Sequence, residues 1–424
     1  MNLATFPFEK LRRTPDIEAP NLFAADATDR LLLDLAAPAI AEDSPGSVVV
    51  VGDRYGGLTL GAAMLGARQI RVHQDSYTSE LALVSNCRRL GVELGLPADV
   101  YENRDLDASL FDRAQVVLMQ LPKDLRQLEH WAHLVSHYAD PSVQVFAGGR
   151  VKHMTRAMND VLARFFGSVT ASLARQKSRV LIAADPLPFD EGVVADTERE
   201  CEGGGEPEAG NAAQSRESHL SEHYDPDLDL WVCSTPGSFA SGKVDIGTRF
   251  LIPFLEDRVN LPEGPEVAEL VAVDLGCGTG LLTATLLRAH PDYHVIATDR
   301  SAAAAASTRA TIRRNGLDKF GGRVEIRRDH GLSQQPDTSV DLVVCNPPFH
   351  SEAAITTAAS DAMFIEAARV LKPGGVMLTV FNSHLPHRRA LERMVGPTVQ
   401  QGRNAKFTVT RSVRGSLGGG EVGG

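Results

Sequence analysis

The chain has 424 residues, 43% of them hydrophobic, and a formal net charge of -11. A chain of this length exceeds one ordinary hydrophobic core and predicts two domains of roughly 200 residues or fewer. No apolar run approaches the roughly 20 residues that a membrane span requires. The N-terminal residues also lack the apolar core of a signal peptide. We therefore expect a cytoplasmic protein that does not bind a membrane.

The five cysteines form no Cys-x-x-Cys pair, which fits neither a disulfide framework nor a zinc site, so no metal is expected. The negative charge argues against nucleic-acid binding, because neutralising phosphates needs clustered Lys and Arg. Much of the acid lies in residues 185–229, however, and the C-terminal stretch is basic. Around the single acid Glu392 it gathers Arg388, Arg389, Arg393, Arg403, Lys406, Arg411 and Arg414. Alone, such a stretch is more often a solvated face than an RNA surface.

The first half begins with apolar segments that lead into turns. Residues 48–51 predict a strand before Gly52, residues 69–73 predict a second strand before Asp75, and residues 116–119 predict a third. Residues 202–211 are rich in Gly and Glu without periodicity, which predicts a disordered acidic linker. We place the first domain at residues 1–185, the linker at 186–230, the second domain at 231–414 and a Gly-rich disordered tail at 415–424.

The second half alternates apolar strands with helices. The predicted strands are residues 271–273, 294–297, 323–326, 340–345 and 376–380, and the predicted helices are residues 281–289, 301–315 and 359–370. This alternation predicts an α/β fold with a doubly wound, mostly parallel sheet. Ligands of such sheets bind at the carboxyl ends of the strands, so the residues that follow each strand are the candidates for a site.

A glycine loop follows the strand at 271–273 and precedes a helix. Gly276, Gly278 and Gly280 let the backbone approach a ligand at the helix N-terminus. Both dinucleotides and S-adenosylmethionine bind such loops. A dinucleotide fingerprint needs a small residue at 281, or at 283 in the other register, and Leu281 and Thr283 stand there. The loop therefore predicts S-adenosylmethionine.

Three acids complete the predicted cofactor site. Asp274 precedes the loop and suits the methionine amino group, and Asp299 ends the next strand and suits the ribose hydroxyls. Asp329 follows the third strand, where an adenine would lie. For Asp329 a helix cap or a solvated loop acid is an equally good interpretation.

Asn346, Pro347, Pro348 and Phe349 follow the strand at 340–345. The lone pair of an exocyclic purine amine is delocalised into the ring, so a site must localise it. The Asn346 side-chain oxygen and the Pro347 carbonyl can accept both amine hydrogens, and Phe349 can stack on the ring. The sulfonium supplies an activated methyl, so no metal or covalent nucleophile is required. We predict methyl transfer to a planar amine, with Pro348 and His350 contacting the substrate.

The first half repeats this plan with decay. Gly52 to Asp75 and Gly276 to Asp299 have the same separation, since 75 minus 52 and 299 minus 276 both give 23. Two substitutions weaken the site in the first half: Arg54 stands where Gly278 would be, and Lys123 where Phe349 would be. We predict that the first half has lost catalysis and serves recognition or support.

With these motifs the chain resembles the bacterial ribosomal RNA guanine-N2 methyltransferases, the small-subunit type C and large-subunit type G enzymes. Residues 121–123, 236–239, 243–248 and 404–407 also carry the resemblance. It implies two tandem Rossmann-like class I methyltransferase domains, the N-terminal one degenerate, with S-adenosylmethionine as donor and guanine N2 of ribosomal RNA as acceptor. It also implies Asn346 and Phe349 as the acceptor site. Beside such a site, Arg388, Arg389 and Lys406 are expected to contact RNA.

The acidic insert, the acidic net charge and Ser351-Glu352 depart from the family pattern. Other readings of the residues stay open. The same Asn-Pro-Pro-aromatic turn can hold a protein glutamine amide or adenine N6, and a non-catalytic RNA-binding assembly factor is a third alternative. The duplicated first half and the basic C-terminal stretch favour RNA, and the intact loop and Asn346 favour catalysis.

Overall fold

The computed structural model describes residues 5–41, 46–97, 99–188, 220–238, 244–256, 270–319, 322–348 and 353–415. The chain forms two compact units, Met1–His219 and Leu220–Gly424. The core of the predicted linker, residues 189–219, and all of the predicted tail except Gly415 lie outside the described residues.

The first unit alternates helices and strands in its described part. Its helices are α1 (Ala27–Ala41), α2 (Gly57–Leu65), α3 (Tyr77–Leu94), α4 (Ala108–Phe111), α5 (Leu125–Tyr138) and α6 (Arg156–Ala163). Its strands are β1 (Val48–Val51), β2 (Ile70–His73), β3 (Tyr101–Asn103), β4 (Val116–Gln120), β5 (Gln144–Arg150), β6 (Phe166–Ala171) and β7 (Ser178–Pro186).

The second unit begins with a hairpin of β8 (Ser221–Asp225) and β9 (Leu230–Ser234). Its helices are α7 (Ile246–Leu251), α8 (Pro253–Glu256), α9 (Leu281–Ala289), α10 (Ala302–Arg314), α11 (Ala353–Val370) and α12 (His387–Met394). Its main sheet contains β10 (Leu270–Leu275), β11 (Tyr293–Asp299), β12 (Val324–Arg328), β13 (Val340–Cys345), β14 (Leu371–Asn382), β15 (Thr398–Arg403) and β16 (Phe407–Val413).

The two main sheets have the same topology. Their strand orders are β3-β2-β1-β4-β5-β7-β6 and β12-β11-β10-β13-β14-β16-β15. In each sheet, the first five strands of this order run parallel. The sixth strand, β7 or β16, runs antiparallel to both of its neighbours, and the seventh, β6 or β15, is the edge strand. The predicted duplication and the doubly wound, mostly parallel α/β fold are therefore confirmed.

Alternation of side chains along the central strands builds a core on each face of the sheet. In β13, Leu342 and Val344 join one apolar cluster, whereas Val343 and Cys345 join the other. All four are fully buried. Each such aliphatic side chain contributes about 1.5–3 kcal/mol when taken out of water. Burial on both faces explains why these strands read as continuous apolar runs.

The C-terminal end of the predicted linker is structured. Residues 221–230 include β8 and begin β9, so the boundary placed at 230 is too late. Leu230 and Val232 are buried in the core of the second unit. The Asn315 amide closes the contact with α10, because it accepts from the Trp231 N–H at 2.9 Å and donates to the Trp231 carbonyl at 2.8 Å. In the sequence, the acidic composition of residues 221–230 made the apolar alternation of this hairpin difficult to recognise.

The equal spacing of 23 residues does not join structurally equivalent residues, because the first unit has one residue fewer than the second between the glycine loop and the end of the second strand. Gly52 and Gly276 occupy the same position in the two units, because each donates its N–H to a carbonyl of the second strand. The Gly52 N–H donates to the His73 carbonyl at 2.9 Å, and the Gly276 N–H donates to the Thr298 carbonyl at 2.8 Å. The next residues are Gln74 and Asp299. The first unit therefore carries Gln74, not Asp75, at the position of Asp299.

Candidate functional site

Three parallel strands deliver the candidate residues to one edge of the second sheet. Leu275 pairs with Thr298 on one side and with Cys345 on the other. The residue that follows each of these is a candidate: Gly276, Asp299 and Asn346. Because neighbouring strands lie about 4.8 Å apart, Asp299 and Asn346 flank the glycine loop with roughly 10 Å between their backbones.

The glycine loop has room for a ligand on one side and none on the other. Gly280 precedes α9 with a φ of 78°, and a Cβ there would lie 2.9 Å from the Thr308 Cα. Gly278 also has a positive φ, but a Cβ built on it meets no atom within 4 Å. The loop thus packs closely on α10 through Gly280 and leaves open space over Gly278, as a cofactor cradle requires.

Asp274 is a completely buried carboxylate at the base of this loop. Its Oδ2 accepts from the Thr283 hydroxyl at 2.6 Å, and its buried Oδ1 has no partner among the described residues. Burial raises the pKa of Asp274 to about 7, against the Thr283 hydrogen bond. The folded protein holds this proton more tightly than the unfolded chain, so Asp274 lowers stability progressively as pH rises from about 4 to about 7. An ammonium group would complete this site.

Asp299 and Asp329 differ in the hydrogen bonds that their carboxylates already accept within the protein. The oxygens of Asp299 accept from the N–H groups of Gly278 at 3.1 Å and Ser301 at 2.9 Å, which fixes the side chain beside the loop. Asp329 is buried and accepts from its own turn: from the N–H groups of His330 and Gln334 and from the Ser333 hydroxyl. The Asp329 carboxylate shapes this turn, and its contact with adenine stays a prediction.

The Asn346 amide is held in one orientation. Its Nδ2 donates to the Asp245 carboxylate and to the Thr248 hydroxyl oxygen, both at 2.9 Å. A carboxylate only accepts hydrogen bonds, so the amide nitrogen must face Asp245 and the oxygen must face away. That oxygen, Oδ1, is buried and has no partner among the described residues. The site therefore presents a fixed, unused hydrogen-bond acceptor.

Asp245 and Thr248 are functional residues that chemical reasoning from the sequence did not assign. Asp245 caps α7 by accepting from the Thr248 N–H at 2.9 Å, which orders both side chains. Gly247 lets this turn pack, because a Cβ there would lie 3.1 Å from the Phe407 ring. The resemblance included residues 243–248, but only the fold brings them to Asn346, 101 residues away in the chain.

The remaining residues of the Asn-Pro-Pro-Phe turn are only partly described. Pro347 is buried and Pro348 is exposed at the same edge of the sheet. Phe349 and His350, predicted to stack on and contact the acceptor, lie outside the described residues.

The predicted RNA-contacting residues are not all at this edge. The Arg388 side chain pairs with Glu392 at 3.2 Å and donates to the Thr398 carbonyl at 3.5 Å. Through the pairings of β16 and β14, Thr398 lies level with Val343, three residues before Asn346. That is roughly 10 Å below the site along the strands.

Lys406 and Arg389 are both exposed. The Lys406 carbonyl accepts from the Ser383 N–H at 2.8 Å, and the next residue, Phe407, pairs with Asn382 at the carboxyl end of β14. Lys406 therefore lies at the same edge as Asn346, whereas Arg389 lies on the outer surface of α12. The structure thus places Lys406 at the same edge of the sheet as Asn346 and leaves Arg388 away from this edge.

The first unit fills the equivalent edge with its own side chains. Gln74, at the position of Asp299, donates to the Asp53 carbonyl at 2.6 Å. Gln120, at the position of Asn346, donates to Asp29 at 2.6 Å. Arg54, at the position of Gly278, pairs with Asp26 at 3.1 Å. At the positions of Asp299, Asn346 and Gly278, the first unit thus carries side chains that make polar contacts within that unit.

In the described part of the chain, no helix is long and apolar enough to cross a membrane. The same residues contain no group of three or more His, Cys, Asp or Glu side chains placed to hold a metal ion.

Fold and site together define a class I S-adenosylmethionine-dependent methyltransferase. Residues 229–411 match the Methyltransferase small domain family, and residues 2–187 match the RLMG N-terminal domain family. The chain belongs to the ribosomal RNA large subunit methyltransferase G family.

Curated relatives span almost the whole chain. The chain is 34% identical to ribosomal RNA large subunit methyltransferase G of Streptomyces avermitilis over 408 residues, which covers 95% of this chain and 96% of the relative. It is 32% identical to the Pseudomonas fluorescens protein of the same name over 418 residues, covering 97% and 100%.

Among solved structures, the T. thermophilus 16S rRNA N2 methyltransferase RsmC, determined with AdoMet and guanosine, matches with a TM-score of 0.65. That match covers 94% of this chain and 97% of RsmC at 19% sequence identity. The likeness confirms the fold of both units.

We expect S-adenosylmethionine binding to strengthen as pH rises through 7. Because the pKa of Asp274 is raised to about 7, only the ionised form above that pH can pair with the methionine ammonium. The Kd measured by calorimetry should fall about tenfold between about pH 6 and 8. Asp274→Asn should bind weakly with no pH dependence, and Thr283→Val should move the midpoint upward. A wild-type Kd that is flat across this range would contradict the role of Asp274.

Proposed function

We propose that this protein transfers a methyl group from S-adenosylmethionine to the exocyclic N2 amine of a guanosine in large-subunit ribosomal RNA. The observation that carries the proposal is the fixed, buried and unused Oδ1 of Asn346 beside an open glycine loop. The relatives named for large-subunit ribosomal RNA, at 31–34% identity over nearly their full length, support the substrate. A protein that modifies ribosomal RNA would work in the cytoplasm.

The acceptor amine needs two hydrogen-bond acceptors to localise its lone pair. Asn346 Oδ1 supplies one, since Asp245 and Thr248 hold the amide nitrogen. The Pro347 carbonyl is the second in this proposal. Accepting both N–H bonds directs the lone pair out of the ring plane toward the donor methyl. The base must leave its stack to reach this edge, and Phe349 is proposed to stack on it.

S-adenosylmethionine supplies an electrophilic methyl group on sulfur. The residues of this chain bind and orient: Asp274 takes the ammonium of the methionine part, Asp299 takes the ribose hydroxyls and the backbone at Gly278 passes beneath the cofactor. In this arrangement the amine would attack the methyl carbon as the carbon–sulfur bond breaks, and the product amine would then lose a proton to water. Positioning of the two reactants is the main catalytic contribution.

The first unit supports RNA binding in this proposal. Its basic surface consists of Lys123, Arg150, Lys152, Arg156, Arg175, Lys177 and Arg179. The segments that carry them meet at the carboxyl edge of β5: Arg150 pairs with Ser178, and the Val151 N–H donates to the Lys177 carbonyl at 2.9 Å. Lys152, Lys177 and Arg179 are exposed. Arg175 is paired with Asp34 at 3.1 Å, so the other six cations of this surface are the ones proposed to meet the RNA backbone, despite the net charge of -11.

Nucleoside mapping of ribosomal RNA tests the reaction. Cells lacking the protein should lose one N2-methylguanosine in the large-subunit RNA, because the proposed methyl transfer would no longer take place. Wild-type protein should restore the modification and Asn346→Ala should not, as read by mass spectrometry of mapped fragments. An unchanged RNA map together with methylation of a protein glutamine would replace RNA by a protein substrate.

Asp245 is expected to act as a positioning residue. Asp245→Asn keeps an oxygen to cap α7 but lets the Asn346 amide turn over, so kcat should fall at least about tenfold with Kd for S-adenosylmethionine and Tm unchanged. Asn346→Ala should lower kcat by about 100-fold or more, the scale of one lost group that acts in the transition state. Thr248→Val removes one of the two acceptors of the Asn346 amide, so its kcat should lie between the kcat of wild type and that of Asp245→Asn. Wild-type kcat in Asp245→Asn would refute this positioning role.

Charge reversal on the basic surface should weaken RNA binding. Lys152→Glu with Lys177→Glu should raise the Kd for an RNA fragment and flatten its dependence on salt by a slope of about 1–2, because two phosphate contacts are lost. The matched control is Arg313→Glu with Lys319→Glu, which makes the same charge change at exposed residues of the second unit. Equal losses in the two double variants would show a general charge effect and reject the surface.

A further inference from the structure

The first unit contains a polar pocket at the end of its sheet opposite to the basic surface. The pocket encloses about 860 Å³. Several of its walls come from residues that precede strands, among them Ser47 before β1, Gln69 before β2 and Gln115 before β4. These walls form the amino edge of the sheet, so the pocket is separate from the carboxyl edge where the second unit holds its site.

Arg71 forms the floor of this pocket. It lies in β2 with 8% of its surface exposed, and its Nη atoms donate to the carbonyls of Gly46 at 2.9 Å and Ser109 at 3.2 Å. Its Nε is buried and has no partner among the described residues. The Nε N–H is closed to the pocket, but each Nη carries a second N–H beyond the one given to Ser109 or Gly46, so the guanidinium still has donors for a ligand with acceptor atoms.

The corresponding strand position of the second unit needs no such group. Since His73 and Thr298 occupy the same position, Arg71 corresponds to Ile296. Ile296 is 3% exposed and belongs to the apolar core. The same fold therefore satisfies this position with an aliphatic side chain, and a guanidinium at Arg71 is not required for packing.

Arg104 supplies a second unused donor beside the first. Its guanidinium pairs with Glu102 at 2.9 Å and donates to the same Ser109 carbonyl at 3.2 Å. Its Nε is also buried without a partner among the described residues. Both guanidiniums donate to the Ser109 carbonyl, so two like charges lie together at the floor, and burial together with Arg104 lowers the pKa of Arg71.

The charge of the lining decides between ligand classes. Three arginines, Arg71, Arg104 and Arg113, face four acids, Asp99, Glu102, Asp112 and Asp140, so the lining carries 3 minus 4, or -1. A phosphate would therefore gain no net electrostatic attraction from this lining. Arg71 is buried, whereas Asp99, Glu102 and Asp112 are exposed at the rim. The arrangement fits an uncharged ligand with acceptor atoms on its inner edge and N–H groups on its outer edge.

A nucleobase has both edges in one plane. We infer that this pocket binds a nucleobase, with its acceptor edge against Arg71 and Arg104 and its ring or amino N–H groups toward the rim carboxylates. Guanidinium donors on base acceptors and carboxylates on base amines are established pairings. The base comes either from a free nucleoside or from a single-stranded segment of RNA. The inference does not depend on methyl transfer by the second unit.

Binding to the full-length protein tests the pocket directly. Guanosine, adenosine, cytidine, uridine and inorganic phosphate are titrated separately, and binding is followed by calorimetry and ligand-observed NMR. At least one nucleoside should bind the wild type, and Arg71→Met should weaken it at least about tenfold, consistent with the loss of one good base contact. Arg71→Met also removes the hydrogen bonds to the Gly46 and Ser109 carbonyls, so Tm should fall modestly, whereas S-adenosylmethionine binding by the second unit should stay unchanged.

Arg104→Met provides a second variant at a less buried position, and Arg313→Met is the control outside the pocket. Loss of nucleoside binding in both pocket variants but not in the control supports the inference. Binding of phosphate without any nucleoside, no binding of any probe, or equal nucleoside binding in wild type and both pocket variants would overturn it. A short single-stranded RNA distinguishes the sources: binding lost in Arg71→Met assigns the base to RNA, whereas RNA binding unaffected by Arg71→Met assigns a free nucleoside.

Discussion

The parallel pairing of β10 with β11 and β13 is the constraint on which the catalytic unit depends. Because Leu275 is level with Thr298 and Cys345, three residues far apart in sequence leave the sheet at one height. A shift of one residue in either register would turn side chains to the other face and separate Asn346 from the glycine loop. The buried apolar faces on both sides of β13 make such a shift costly, so core packing also sets the geometry of the site.

The two units show what one fold does with and without a cofactor cradle. In the second unit, a carboxylate and a hydroxyl hold the Asn346 nitrogen, and the Asn346 oxygen and Asp274 Oδ1 are left for ligands. In the first, Gln74, Gln120 and Arg54 each close a hydrogen bond inside the unit. The same backbone therefore carries an asparagine and a glycine loop at this edge in one unit, and glutamine and arginine side chains that donate to neighbouring residues in the other.

Charge is organised by folding more than by sequence position. The basic C-terminal stretch looks continuous in the chain, yet its members are spread along β16 and around α12, from Lys406 at the carboxyl edge to Arg414 near the amino edge. Conversely, residues 150–156 and 175–179 of the first unit are separated in sequence and meet because β5 and β7 pair antiparallel. A chain with a net charge of -11 can thus carry a local cationic surface of the kind that phosphates require.

Elements with strong local signals could be predicted from the amino-acid sequence alone. The helix predicted at 281–289 and the strands at 48–51 and 340–345 match α9, β1 and β13 residue for residue, because apolar runs and glycine turns act locally. The sequence also located Asn346 and the loop at one edge. Three features became visible only in the folded chain: Asp245 orients the Asn346 amide, Gln74 corresponds to Asp299, and residues 221–234 form a hairpin. These depend on contacts between distant segments, for which local periodicity carries no information.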